Sequence, residues 1–240
     1  MGLLTDHGVQ SVYHYAPLHY FVFIARSRKL LSKPALLENG YDEGHFRSMS
    51  KKQDIARGFA QYVHLTLDTC PRILQAKLRA GFPHIAFRLP STSMESLAYS
   101  LCRFNVAMTR QLRRGGKPGF PESHGNGRYL PHHQIPVAST DEEKAEMLGT
   151  HLARGTMIEV LVEKELTLPD DMAVIVYSEE DERTARQVVI ETGAPWHIHR
   201  ETPPCEYQRS ENYSKEVSEF IHRCLLDKSW LGNGLEFDRV

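Results

Sequence analysis

The sequence predicts a mixed α+β fold, and three observations lead there. Apolar residues make up 41% of the 240 residues and charged residues 25%, an ordinary globular mixture with enough chain to bury a full core. Short alternating segments rich in Val, Ile and Tyr are interspersed with segments of helical spacing. The two kinds follow no regular strand–helix–strand rhythm, which argues against a doubly wound sheet.

The elements follow in chain order. Residues 9–15 read as a first short strand. Residues 19–31 (HYFVFIARSRKLL) carry apolar side chains at helical spacing and stop before Ser32-Lys33-Pro34, so they read as one helix. Residues 36–57 are polar and mixed and read as irregular. The segment 62–67 (YVHLTL) alternates and is β-rich, a strand. Residues 71–79 (PRILQAKLR) form a short helix opened by proline and closed by Gly81, and 84–89 (HIAFRL) another strand. Residues 94–114 read as partly helical. Residues 140–150 (TDEEKAEMLGT) begin with an N-cap threonine and an acidic first turn, hence a helix. Strands are expected at 156–162 (TMIEVLV) and 173–178 (AVIVYS), with a polar crossover between them, then an acidic amphipathic helix at 180–191. A short strand at 195–199 and a helix at 213–226 close the pattern. That helix carries Val217, Phe220, Ile221 and Leu225 on one face.

The charge total misleads. The formal net charge is -1, yet residues 1–120 hold 17 basic against 7 acidic side chains and residues 121–240 hold 12 against 23. Such asymmetry points to a polyanionic partner for the basic half. No apolar run is long enough to span a membrane, and the N-terminal segment lacks the basic and apolar regions of a signal peptide. The four cysteines, Cys70, Cys102, Cys205 and Cys224, stand far apart with no CxxC. They read as reduced thiols of a cytoplasmic protein.

Strong catalytic motifs are absent: there is no P-loop, GxGxxG after a strand, HExxH, GxSxG or zinc-finger spacing. His197 and His199 would share one side of a strand, but no cysteine or third histidine is near in sequence, so no metal is expected. Glu159 is the most informative acid. It sits inside an apolar strand, where a carboxylate is costly unless paired or facing a cleft. Alternation puts Met157, Glu159 and Leu161 on one side and the wholly apolar Ile158, Val160 and Val162 on the other, so Glu159 faces away from the core. An edge-strand glutamate is the plain alternative.

The order of short segments VYHYAPLHYFVFIARSRKLLS, Arg57-x4-Tyr62-Val-His-Leu-Thr-Leu and Glu159-Val160-Leu161-Val162 resembles the DarT family of nucleic-acid ADP-ribosyltransferase toxins, over roughly residues 10–180. The resemblance implies an ADP-ribosyltransferase-like split mixed β-sheet with surrounding helices, in a single domain over residues 1–240. It implies NAD as co-substrate. Glu159 would be the catalytic glutamate, with Arg57 or Arg47 as the catalytic arginine that holds the pyrophosphate and the target. His14, flanked by Tyr13 and Tyr15, would contact NAD, and Tyr62 would pack against the nicotinamide. Ala16 stands where the family usually has threonine. The family also implies a toxin or anti-phage effector with a cognate antitoxin. The chemistry suits these residue types: a carboxylate can hold a ribose hydroxyl, stabilise developing positive charge and take a proton from a base nitrogen, and arginine matches a pyrophosphate.

The basic half gains a candidate role. Arg103, Arg110, Arg113, Arg114 and Lys117 cluster with no acid between Glu95 and Glu122, and Phe104, Phe120 and Tyr129 are available to stack on bases. Asn105 falls where the family places its target-binding segment. Residues 115–136, rich in Gly and Pro, read as a substrate loop, and 195–240 as a C-terminal strand and helix. Base modification favours single-stranded DNA or RNA as partner. A non-catalytic nucleic-acid-binding domain and a protein-directed ADP-ribosyltransferase are the alternatives.

Overall fold

The structure, a computed structural model, describes residues 2–39, 55, 58–67, 69, 72–103, 137–152, 157–207 and 210–226. The helices are α1 (Leu3–Asp6), α2 (Phe21–Ser27), α3 (Lys33–Glu38), α4 (Arg72–Arg79), α5 (Asp141–His151), α6 (Glu179–Thr192) and α7 (Glu211–Leu226). The strands are β1 (Ser11–Pro17), β2 (Lys29–Leu31), β3 (Tyr62–Thr66), β4 (His84–Pro90), β5 (Tyr99–Arg103), β6 (Val137–Ala138), β7 (Ile158–Glu163), β8 (Glu165–Thr167), β9 (Ala173–Val176) and β10 (His197–Arg200).

Eight strands form one mixed sheet in the order β10-β9-β4-β1-β3-β7-β5-β6, and β2 pairs with β8 in a second. Within the large sheet the β9–β10 pair is parallel; the other pairs are antiparallel. This is the α+β architecture expected from the irregular rhythm of elements.

Strand alternation divides the sheet into two faces. One face holds Val12, Val63, Leu65, Phe87, Leu101, Ile158, Val160, Val162 and Val174, all in the main core. Helix α2 packs against α6 and α7, and all three contribute to that core through residues such as Phe21, Val188 and Phe220. Helix α4 lies on the other face, where Leu74 and Leu78 meet Ala86, Ile175 and Tyr177.

The seam between β1 and β3 decides where a site can form. β1 is in register with β4 from Ser11 opposite Pro90 to Pro17 opposite His84. Against β3 it has one registered pair, Tyr13 opposite Thr66. The two halves of the sheet therefore meet at a narrow junction.

Several elements differ from the sequence expectation. The helix read over residues 19–31 is a 3-10 turn at Leu18–Tyr20 followed by α2, which ends at Ser27. Arg28 adopts a left-handed conformation, φ 54°, which stops the helical repeat, and residues 29–31 then pair with β8. Part of the segment read as irregular is helix α3, opened by a proline in its first turn. The segment read as partly helical contains β5, because Leu101 packs in the core between paired strands. The crossover after β7 contains β8. Helix α5 is as expected: Thr140 accepts from the Glu143 amide at 3.3 Å, and the Glu143 carboxylate accepts from the Thr140 amide at 3.1 Å.

Candidate active site

Strand β7 is built of β-branched and aliphatic residues whose alternation fits a sheet interior. It lies between β3 and β5, so Glu159 faces Thr66 on one neighbour and Cys102 on the other. Ile158, Val160 and Val162 enter the main core, and Glu159 points to the opposite face. Its residue is only 5% exposed. A carboxylate so placed needs compensation. Part of it comes from His64, two residues before Thr66 on the same side of β3, whose Nδ1 stands 3.6 Å from Glu159 Oε2.

His64 is held at three points. Its ring Nε2 lies 3.0 Å from the Phe59 carbonyl, which can only accept, so Nε2 carries the hydrogen. Nδ1 is thereby the atom turned to Glu159. Its main-chain carbonyl accepts from Nδ1–H of His14 at 2.9 Å. His14 itself titrates below the usual histidine range. Burial is the largest cause, the bond to the His64 carbonyl opposes it, and the charge of His64 adds to the lowering. His14 is thus a neutral imidazole with Nδ1–H committed, which leaves Nε2 as an acceptor.

The two apolar clusters on the Glu159 face frame this polar strip. Phe59, Cys102 and Leu161 form one, with Tyr62 packed against it, its ring 6.0 Å from that of Phe59. The α4 cluster forms the other, with Tyr13 and Tyr15 against it. Those two tyrosines stack at 6.2 Å and 9°. Glu159, His64 and Thr66 lie between the clusters, beside the β1–β3 junction. Thr66 is also tied to β7, its hydroxyl donating to the Ile158 carbonyl at 3.3 Å.

The expected site residues are thus partly assembled. Glu159, Tyr13, Tyr15 and Tyr62 share one face. His14 lies on the other, with its ring 6.1 Å from Phe87. There, with Ala16, Tyr20, Phe23, Ile24 and Lys29, it lines a shallow cleft open to solvent. Arg103 pairs with Ile158, so its register sets it on the side opposite to Glu159. Arg47, Arg57, Asn105, Arg110, Arg113, Arg114 and Lys117 lie outside the described residues, as does the segment 115–136 expected to be a substrate loop. His64 and Thr66 belong to no sequence motif; their signal is the alternation Tyr62-x-His64-x-Thr66, and only the register with β7 gives it meaning. His197 and His199 lie exposed on β10, and among the described residues no group of three His, Cys, Asp or Glu side chains is arranged to hold a metal ion.

No family model matches the chain, and no curated protein does. Among solved structures, the chain is similar to DarT from Thermus sp. 2.9 in three complexes. With ADP-ribosylated ssDNA the TM-score is 0.49 at 12% identity, covering 82% of this chain and 95% of that one. With NAD+ it is 0.49 at 14% identity, covering 80% and 96%. With carba-NAD+ it is 0.48 at 16% identity, covering 80% and 96%.

Proposed function

We propose that this chain is an NAD-dependent mono-ADP-ribosyltransferase that attaches ADP-ribose to a base of single-stranded DNA or RNA, as a toxin or defence effector. One observation carries the reading. The glutamate of the EVLV segment is buried in a central strand, away from the main core, and paired with an imidazole at the junction of the two half-sheets. A purely structural position there would be filled more cheaply by an apolar residue.

The residues fit the co-substrate in kind. Glu159 would hold a ribose hydroxyl and accept the proton of the attacking base nitrogen. His14 lies on the opposite face of the sheet from Glu159 and lines a separate cleft there, so it is not part of this arrangement. Tyr13, Tyr15 and Tyr62 offer ring faces and edges for a nicotinamide or a base. NAD supplies the ADP-ribose and leaves nicotinamide behind. The positively charged segment 110–117 would track the phosphate backbone.

The test is incubation with labelled NAD and separate DNA and RNA oligonucleotides. Label transfer to one of them, with nicotinamide released, is expected, and Glu159→Ala should abolish both. Transfer that survives this change removes Glu159 from the mechanism. Label on protein only would turn the reading to a protein-directed transferase, and nucleic-acid binding without NAD consumption to a binding domain.

A further inference from the structure

We propose that Arg88 binds a backbone phosphate of the nucleic-acid target on the Glu159 face of the sheet. The inference rests on the reading of the chain as a nucleic-acid ADP-ribosyltransferase and adds to it a residue, outside the sequence motifs, that holds the target.

Strand β4 singles the residue out. It lies inside the sheet, between β1 and β9, and from His84 to Leu89 each of its residues is buried except Arg88. A charged side chain there forgoes the apolar burial that a leucine or valine would supply. Ala86, on the same side of the strand, packs beneath helix α4. Arg88 lies one step further along that side, where its side chain is 34% exposed. The registers put it in the row of Glu159: Arg88 stands opposite Tyr13, Tyr13 opposite Thr66, and Thr66 opposite Glu159. All four side chains therefore share one face. Three strand steps of about 4.8 Å set the main chains of Arg88 and Glu159 about 14 Å apart along it.

The guanidinium is paired but exchangeable. Its Nη1 donates to Glu201 Oε1 at 3.0 Å, and the Glu201 side chain is 46% exposed. An ion pair between such groups contributes little, so a phosphate can take the place of Glu201 and accept from the same fork of donors. Beside Arg88, Tyr13 stacks with Tyr15. A cation next to aromatic rings is the arrangement that holds single-stranded nucleic acid, with rings on bases and charge on phosphates. Position selects the target over NAD. The pyrophosphate of NAD is joined to the ribose that Glu159 would hold, whereas Arg88 stands two intervening strands away, a separation that suits a nucleotide flanking the target base.

The test is binding of fluorescently labelled, mixed-sequence single-stranded DNA and RNA oligonucleotides to the full chain, without NAD, over a series of salt concentrations. Arg88→Gln should weaken binding by about 3- to 10-fold at low salt and reduce the slope of log Kd against log salt by about 0.7, the share of one phosphate contact on a single strand. Arg183→Gln, which removes an exposed cation from α6, should leave both nearly unchanged. Glu201→Gln, which frees the guanidinium without altering β4, should tighten binding by about 2- to 5-fold. Glu191→Gln, the same change on the exposed side of α6, should not. In nicotinamide release, Arg88→Gln should raise KM for the oligonucleotide and leave KM for NAD constant. Unchanged affinity and slope in Arg88→Gln, or a rise confined to KM for NAD, overturns the assignment. A Glu201→Gln chain that binds no tighter than Glu191→Gln overturns it as well, and this comparison holds even if Arg88→Gln fails to fold. If the native chain binds oligonucleotide and Arg88→Gln binds it equally, this inference alone falls; if the native chain binds none, the nucleic-acid reading falls with it.

Discussion

His14 donates through Nδ1 to the main-chain carbonyl of His64 across 2.9 Å, and this bond joins β1 to β3 beside their one registered pair, Tyr13 opposite Thr66. A side chain thus supplements a junction that the main-chain ladder leaves narrow. His14→Phe keeps an aromatic ring against Phe87 and removes the donor. The bond is part-buried, so its loss should lower the unfolding free energy by about 0.5–1.5 kcal/mol. Urea titration with an unchanged slope would report it. An unchanged midpoint would show that the bond contributes nothing at this seam.

Acid should destabilise the chain through two buried histidines. His19 packs edge-on to Tyr20 and Phe220. Burial, and then the charge of His84, lowers it to about 3. His84 is lowered to about 4 by burial, with the Phe82 carbonyl opposing and the charge of Lys77 adding to the fall. Both values lie below the unfolded value of 6.5, so the unfolded chain binds more protons at mildly acidic pH. Their contribution is complete above pH 6.5 and falls as pH drops through that value. It goes on falling to about 4 for His84 and about 3 for His19. Each histidine should contribute a slope approaching about 1.4 kcal/mol per pH unit in between. His19→Phe should reduce the slope of urea stability against pH; an unaltered slope would exclude His19 as a source.

Lys164 turns the chain from β7 to β8 at φ 63°, a conformation that costs a side-chain-bearing residue about 1 kcal/mol. Its ion pair with Glu38, at 3.3 Å, joins two largely exposed groups and contributes little. Lys164→Gly should therefore raise the thermal midpoint by up to about 2–4 °C. A lowered midpoint would show that the ion pair, or the added freedom of the unfolded chain, outweighs the strain.

The thiols should react in order of access. Cys102 and Cys224 are fully buried, whereas Cys205 is partly exposed. Burial pushes the Cys224 thiol up to about 12, with the charge of Arg26 opposing, so little thiolate forms near neutral pH. Alkylation of the folded chain, read by peptide mass spectrometry, should label Cys205 well before Cys102 and Cys224. Early labelling of Cys224 would contradict its packing beneath α2.

Much of the fold was legible because its strands carry their own periodicity. In TMIEVLV the alternation alone separates Ile158, Val160 and Val162 from Glu159, and the core follows that division. The capping box of α5 is equally local, since Thr140 and Glu143 satisfy amides within one turn. Where local pattern and pairing disagree, pairing prevails. Residues 29–31 continue an apolar helical spacing, yet they leave the helix at Arg28 to meet β8, a partner far along the chain. β5 is a strand because β7 and β6 flank it, and neither neighbour is visible from its own residues.

By itself, then, the sequence determined the interspersed α+β pattern, the strand that carries Glu159 and the side of that strand from which the carboxylate emerges. Periodicity is a property of neighbouring residues and is set before any contact forms. Only the tertiary structure decided that His64 faces Glu159, that Tyr13 shares their side and that His14 lies on the other. Those relations depend on the registers of β3 with β7 and of β1 with β3, and a one-residue slip in either would reverse every side chain involved. Register comes from burying the apolar faces of distant strands together, which no local stretch of chain specifies.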